Sequence, residues 1–391
     1  MRGAVAYRTP PRGAPLAARL ATQLAALLLA GLAHVAAAAP PAGGVPVAVL
    51  VPDDAATLLG TVATAWPDTP AVGVEVRRDA LDVRTVRYAG APTTAVQAAR
   101  TAVADGAWAV VCCETDAATA AVAGALADAP DVLLVSPYGG AVRAAAGRQV
   151  VLDLAPAEAL RGFVRDAYGG GARAIGVMTP AGVPGDVALQ ALEGTFAAGD
   201  LALRGVARYP AGARPLTPEA LWVATRLPDV VIAWDDAAGA AAAWRALRAR
   251  GWNGPVYAPA AVLRTPGGLP RGGGPEGEVR LAVPPAAVWT ALPPTDPARA
   301  WAIDARTVAG GQLGSAPGRA DGARAYDALA LLAHAAATGA ETPAALRAAV
   351  FALPATDLAA GRYAPSPRTP WAGTAEGTRP ARLVAGRLQP R

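Results

Sequence analysis

Two consecutive α/β lobes, each wound on both faces of a mostly parallel sheet, are the fold this sequence predicts. Three observations lead there. Short apolar runs, too short for helices, recur along the chain and give way to polar or Pro/Gly turns. Alanine-rich stretches with helical spacing lie between them. The alternation runs once and then restarts at Pro156, which implies two doubly wound sets rather than one large sheet.

The chain has 391 residues, enough for two ordinary domains each with its own core. It is 53% hydrophobic and 17% charged, which excludes wholesale disorder. There is no lysine, so every basic side chain apart from histidine is arginine. Alanine is abundant everywhere, which dilutes each periodicity.

The first residues carry Arg2, Arg8, Arg12 and Arg19, and Leu20 to Ala39 is almost unbroken apolar sequence ending in four alanines before Pro40-Pro41. Basic region, apolar core and small-residue exit together read as a secretory signal over residues 1–38, cut after Ala37 or Ala38. A retained anchor is the competing reading, since about 20 apolar residues span a bilayer. The alanine exit and the Pro/Gly linker behind it favour the signal. The formal charge of +5 rests on 35 basic against 30 acidic residues. Removing the four leader arginines leaves 31 against 30, with no acid before Asp53. Nucleic-acid binding requires a basic stripe that releases counterions, and the mature chain has none. A soluble, exported protein is expected.

Taken in order, Val45 to Val51 is a buried strand ending in Pro52-Asp53-Asp54, and a short helical segment runs to Trp66. Val83 to Tyr88 alternates as a half-exposed strand, and Thr94-x-x-Gln97 fits a capping box. Trp108 to Cys113 is a buried strand that turns at Glu114-Thr115-Asp116 into a helix reaching Leu126. Val132 to Val135 and Val150 to Leu154 are further strands, the first ending in Ser136-Pro137-Tyr138. The second set comprises a helix over Glu158–Tyr168, a strand Ala174–Met178, and a helix to Phe196 capped by Asp186. It continues with a strand Leu203–Tyr209, a helix Leu216–Leu227, and a strand Asp229–Trp234 ending in Asp235-Asp236. A helix Ala237–Arg250 stopped by Gly251 and a strand Pro255–Ala258 close it. Gly272, Gly274 and Gly277 spell G-x-G-x-x-G, but no strand precedes them, no helix follows and Pro275 interrupts, so no dinucleotide site is expected. A strong helix over Gly322–Ala337, a helix opened by Thr342-Pro343, and a strand pair around Leu383-Val384 and Leu388 complete the chain.

The order and spacing of these pieces resemble the type I periplasmic solute-binding proteins, the group of the leucine/isoleucine/valine-binding proteins of ABC importers. The matching stretches are Ala107–Leu126, Val132–Tyr138, Arg173–Tyr209, Pro228–Pro259, the Tyr326-Asp327-Ala328 helix, and Trp371–Gly377 with Leu383–Leu388. The resemblance implies two Rossmann-like lobes joined by a three-strand hinge. Lobe one would take residues 45–155 and 284–353, and lobe two 156–283 and 354–391. Crossovers are expected near Asp153–Pro156, Leu281–Pro284 and Leu353–Pro354. It also implies a periplasmic monomer that takes a small amino-acid-like, carboxylate or amide solute and presents it to an inner-membrane permease. The chain departs from the family pattern at Pro52-Asp53-Asp54-Ala55, at Cys113-Glu114-Thr115-Asp116, and at Pro184.

Open α/β sheets bind ligands outside the carboxyl ends of their strands. The candidate contacts are therefore Asp53, Asp54, Glu114, Thr115, Asp116, Ser136 and Tyr138 from lobe one, and Val183, Trp234, Asp235 and Asp236 from lobe two. A helix start at Thr115 suits a carboxylate, though Glu114 and Asp116 can satisfy the same terminus themselves. By resemblance, Asp235-Asp236 would meet a ligand ammonium; helix capping is the plain alternative. Trp234 is either a stacking wall or core. Cys112 and Cys113, adjacent in sequence, are expected to be free and buried, since a bridge between neighbours is strained. With only His34 and His334 in the chain, no metal and no cofactor are expected. Neither G-x-S-x-G, H-E-x-x-H nor a P-loop occurs, so the protein is not expected to be an enzyme. A sensor or accessory protein with a degenerate cleft, and a secreted carboxylate-dependent hydrolase, are the competing functions.

Overall fold

The computed structural model describes residues 43–53, 57–138, 147–196, 201–264, 278–311, 315–384 and 387–391. The expected leader over 1–38, Asp54 and the Gly272–Gly277 motif lie outside the described residues. The described residues form one compact unit built on two sheets.

The first sheet contains β1 (Val45–Pro52), β2 (Leu81–Tyr88), β3 (Ala109–Val111), β4 (Leu133–Ser136) and β5 (Gln149–Leu154). They are ordered β5-β4-β3-β1-β2 and all parallel. Their apolar runs are continuous because both faces are covered. On β1, Val45, Val47, Val49 and Val51 enter one core while Leu50 enters the other. The same period of two sends Ala109 and Val111 of β3 one way, and Val110 and Cys112 the other. One face receives helices α1 (Leu58–Ala65), α8 (Pro297–Val308), α9 (Ala316–Ala336) and α10 (Pro343–Ala352); the other receives α2 (Pro92–Ala104) and α3 (Asp116–Ala125). Along α9, Ala323 and every residue from Ala328 to Ala333 are buried to within 1% of full burial, so this helix forms the centre of the lobe.

The second sheet contains β6 (Ala174–Pro180), β7 (Ala202–Tyr209), β8 (Val230–Ala233), β9 (Val256–Tyr257) and β10 (Val279–Val283), ordered β10-β9-β8-β6-β7 and parallel. Helices α4 (Pro156–Gly169) and α5 (Val183–Phe196) cover one face; α6 (Thr217–Ala224) and α7 (Ala237–Ala249) cover the other. The Asp229 carboxylate accepts from the backbone N–H groups of Arg173 at 2.7 Å and Ala174 at 2.9 Å, tying the starts of β6 and β8 together. Gly251 ends α7 at φ +76°, a conformation that favours glycine.

The carboxyl-terminal segment corrects the expected lobe boundary. Three very short strands, β11 (Thr356–Asp357), β12 (Arg362–Tyr363) and β13 (Trp371–Gly373), extend the first sheet rather than the second. β13 runs parallel to β5, and the Val151 N–H donates to Pro370 O at 2.7 Å. Only β14 (Arg379–Val384) and β15 (Arg387–Pro390) join the second sheet, antiparallel and with Leu383 opposite Leu388. The third crossover is thus Thr374–Thr378, not Leu353–Pro354. The chain also passes from one sheet to the other between β5 and α4 and after β10. The Trp289 indole packs against the cores of both lobes.

Two local expectations also change. Thr94 does not cap: α2 starts at Pro92 behind Ala91, and the Thr94 hydroxyl donates to Ala91 O at 2.8 Å. Asp186 lies inside the first turn of α5 and pairs with Arg208 instead.

Candidate functional site

In the first sheet β4, β3 and β1 are neighbours, so their carboxyl-terminal loops lie side by side. This brings Asp53, the Cys112–Asp116 turn and Ser136–Tyr138 to one edge. Asp53 is exposed, its backbone N–H donating to Tyr88 O at 2.8 Å. Thr115 caps α3: its Oγ1 accepts from the Ala118 N–H at 3.3 Å, and Asp116 follows as the acid of the first turn. The helix terminus is therefore partly satisfied by its own residues. Glu114 is half-buried. Ser136 is fully buried, and its Oγ accepts from Gln149 Nε2 at 2.8 Å. Tyr138 is half-buried against the first core.

The two cysteines are buried as expected but are not free thiols. Cys112 and Cys113 are joined to each other at the end of β3. The strand leaves the sheet here, so its alternation stops and both side chains turn into the same core.

A cation that carries no motif in the sequence sits behind this edge. Arg324 on α9 reaches Asp153, at the start of the first crossover, at 3.3 Å. Burial opposes its charge, but Asp153, Asp321, Tyr363 and Tyr138 outweigh that and raise its pKa. A weaker signal is visible: an arginine two residues before Tyr326-Asp327.

The second sheet places β6 beside β8 and so gathers Val183, Trp234, Asp235 and Asp236. Val183 opens α5 and is 75% exposed. Trp234 stands edge-on to Phe163, with ring centroids 6.3 Å apart, and packs against the α4–α5 core. Asp236 caps α7, its Oδ1 accepting from the Gly239 N–H at 2.6 Å. Asp235 turns into the lobe. Its Oδ2 accepts from the Tyr209 hydroxyl at 2.9 Å, its Oδ1 accepts from the Asp236 N–H at 2.7 Å, and Arg214 lies 3.8 Å away. Burial raises the pKa of Asp235, opposed by those two hydrogen bonds and by Arg214. Tyr209 and Arg214 have no signal in sequence, because the first reads as a strand end and the second as loop.

Gly239 makes this arrangement possible, since a Cβ there would stand 1.8 Å from Asp235 Oδ2. Gly239→Ala should therefore destabilise the protein by about 1–3 kcal/mol through the displaced carboxylate. Helix propensity alone predicts the opposite sign, a gain of about 1 kcal/mol. Urea denaturation of Gly239→Ala beside Tyr209→Phe separates the two accounts: a stabilised Gly239→Ala would show that Asp235 is not held as described.

Among the described residues, no group of three or more His, Cys, Asp or Glu side chains could hold a metal ion. No helix among them is long and apolar enough to cross a membrane.

Two α/β lobes linked by three crossovers, with loops gathered at the strand ends of each, define a two-lobed clamp. The chain belongs to the periplasmic binding protein family, whose sequence profile matches residues 79–384. It is similar to a putative branched-chain amino acid ABC transporter protein from Rhodospirillum rubrum, at 20% identity and TM-score 0.66, covering 89% of this chain and 100% of that one. It is also similar to an ABC transporter solute-binding protein from R. palustris in complex with 4-hydroxybenzoate, at 16% identity and TM-score 0.64, covering 89% and 95%. A leucine-binding protein from Thermotoga maritima aligns at 16% identity and TM-score 0.61, covering 89% and 97%. At these identities the likeness speaks for the fold. A comparison with proteins of curated function matches none.

Proposed function

We propose that this protein is the periplasmic solute-binding component of an ABC-type importer, and that it closes its lobes around a small amino-acid-like, carboxylate or amide solute. The observation that carries this is the placement of strand-end loops at neighbouring strands of two sheets linked by crossovers, in a chain of the periplasmic binding protein family. Lobes on such crossovers close by a hinge motion. In this reading Asp53, Glu114, Thr115, Asp116, Ser136 and Tyr138 form one jaw, and Val183, Trp234 and Asp235 the other. Arg324 joins the first jaw as a fixed cation beside Asp153. The inner-membrane permease is the partner and the monomer the working unit.

One observation favours a second reading, a sensor or accessory protein whose cleft no longer takes a solute. Thr115, Ser136 and Asp235 already spend hydrogen-bonding capacity within their own lobes. A thermal-unfolding screen of amino acids, short amides, and aliphatic and aromatic carboxylates decides between them. A ligand at a hundred times its Kd stabilises the folded state by about 2.7 kcal/mol. A shift with one chemical class, weakened by Glu114→Ala, is the result expected of the importer component. No shift across the screen would leave the second reading standing.

A further inference from the structure

One end of lobe two concentrates exposed apolar surface. Among the described residues eight large apolar side chains are exposed, and five of them, Tyr168, Leu203, Leu221, Trp222 and Leu227, stand where β6, β7 and β8 begin or on the helices that end beside them. The three strands are parallel neighbours, with Ile175 of β6 facing both Leu203 and Val230. Their starts therefore lie together, at the opposite end of the sheet from the strand-end loops. Single exposed apolar side chains are ordinary, whereas a patch of them marks a contact surface.

Arg226 ties the pieces together. Its Cζ lies 3.1 Å from the centre of the Trp222 ring, and its Nη1 donates to Trp222 O at 2.9 Å. Its Cδ rests against Gly205 of β7, where a Cβ would stand 2.7 Å away. Leu227 follows at φ +51°, a left-handed conformation that leucine rarely adopts, and is 81% exposed. Neither backbone preference nor burial favours a leucine at this turn.

The cations here carry the same message. Arg173 lies over the Tyr168 ring at 4.5 Å and donates to the Ala172 and Tyr168 carbonyls. Arg204 and Arg250 are exposed, and Trp252 Nε1 donating to Pro228 O holds the end of α7 beside Leu227. None of Arg173, Arg204, Arg226 and Arg250 has a carboxylate partner among the described residues. The described acids around these strand starts are Asp229, which already accepts from two backbone N–H groups, and Glu193 on the last turn of α5.

We propose that this end of lobe two is a membrane-docking surface, which rests on a bilayer rich in anionic phospholipid. Tryptophan, tyrosine and leucine set among unpaired arginines suit the boundary between headgroups and acyl chains. Leu227 projects from a turn, a shape that enters a fluid layer. A two-fold contact with a second copy would bring the same arginines face to face, which opposes self-association. The strand-end loops stay clear of the bilayer, and the docking does not depend on what they bind.

Nitroxide labels on the full chain test this, one at Thr225→Cys beside the patch and one at Glu341→Cys in lobe one, both exposed positions. Cys112 and Cys113 are joined to each other and take no label. On vesicles of equal parts phosphatidylglycerol and phosphatidylcholine, the label beside the patch is expected to gain contact with oxygen and lose contact with a water-soluble nickel chelate. The label in lobe one stays in water. Vesicle sedimentation should show binding weakened about fivefold by Arg250→Gln, the value of one arginine near an anionic surface. Trp222→Ser combined with Leu227→Gly, which keeps the left-handed turn, should weaken it about tenfold. A label beside the patch that stays in water would overturn the membrane surface and leave an acidic protein as its occupant. Equal binding to phosphatidylcholine alone, or unchanged affinity in the Trp222→Ser, Leu227→Gly chain, would also overturn it. So would dimerisation without lipid that the same two substitutions abolish, which would assign the patch to a second copy. The solute screen reads the other end of the lobe, so failure of either experiment leaves the other result standing.

Discussion

Asp304→Ala is expected to lower the unfolding free energy by about 3–5 kcal/mol, the range for removing one partner of a buried ion pair. The pair is Arg78 with Asp304, whose side chains are 6% and 0% exposed. Asp304 Oδ1 also accepts from the Val72 N–H at 2.7 Å, and its Oδ2 from the Tyr326 hydroxyl. Arg78 lies over the rings of Trp66 and Tyr326 and donates to Thr69 O. This network pins the long connection between α1 and β2 onto α8 and α9. Removing the carboxylate strands a guanidinium, an N–H and a hydroxyl in the interior. Equilibrium denaturation measures the loss, and a change below about 1 kcal/mol would show that the network is not formed as described. The double variant Asp304→Ala, Arg78→Met should recover much of the loss, because an apolar replacement of both partners leaves no buried charge.

The second large effect depends on pH. Asp327 on α9 is fully buried and accepts from the Ala359 N–H at 2.9 Å, the Ala360 N–H at 2.7 Å and the Tyr363 hydroxyl at 2.9 Å. Burial pushes its pKa from 3.8 up to about 7, against those three donors and the nearby Arg324. A carboxyl raised in the folded state keeps its proton where the unfolded chain has lost it. Its contribution to stability therefore falls as pH rises from about 4 to about 7 and is level on either side. Each tenfold difference in proton affinity between the two states is worth about 1.4 kcal/mol, so the fall amounts to a few kcal/mol. Asp327→Asn removes the titration but points an amide N–H at an existing donor, costing about 1–3 kcal/mol. The stability difference between wild type and Asp327→Asn, followed across pH, should narrow as pH rises. A constant difference would mean that Asp327 titrates alike in both states.

The double sheet is legible in the sequence because β1, β3, β4, β6 and β8 are buried on both faces and so read as unbroken apolar runs. The candidate loops follow from the strand ends. What stays hidden has physical reasons. β11 to β13 span two or three residues each, too few to show a period, so the sequence puts the boundary at Pro354 when it belongs after Gly373. Arg78 and Asp304 are 226 positions apart, and Tyr209 and Asp235 are 26 apart with nothing local to pair them.

The return of β13 to the first sheet has a consequence for the order in which the molecule can be assembled. The edge of β5 gains its neighbour only when Trp371–Gly373 has been made, after nearly all of lobe two. Lobe one cannot be completed during synthesis from the front of the chain. A polypeptide ending before Pro370 would expose the N–H of Val151 and an open strand edge, a template for pairing with other chains. Long-range closure of this kind also slows folding, since the loop must be ordered before the contact that stabilises it forms. The fold is thus suited to a chain that is held unfolded until its last residues are available, and ill suited to one released piecemeal.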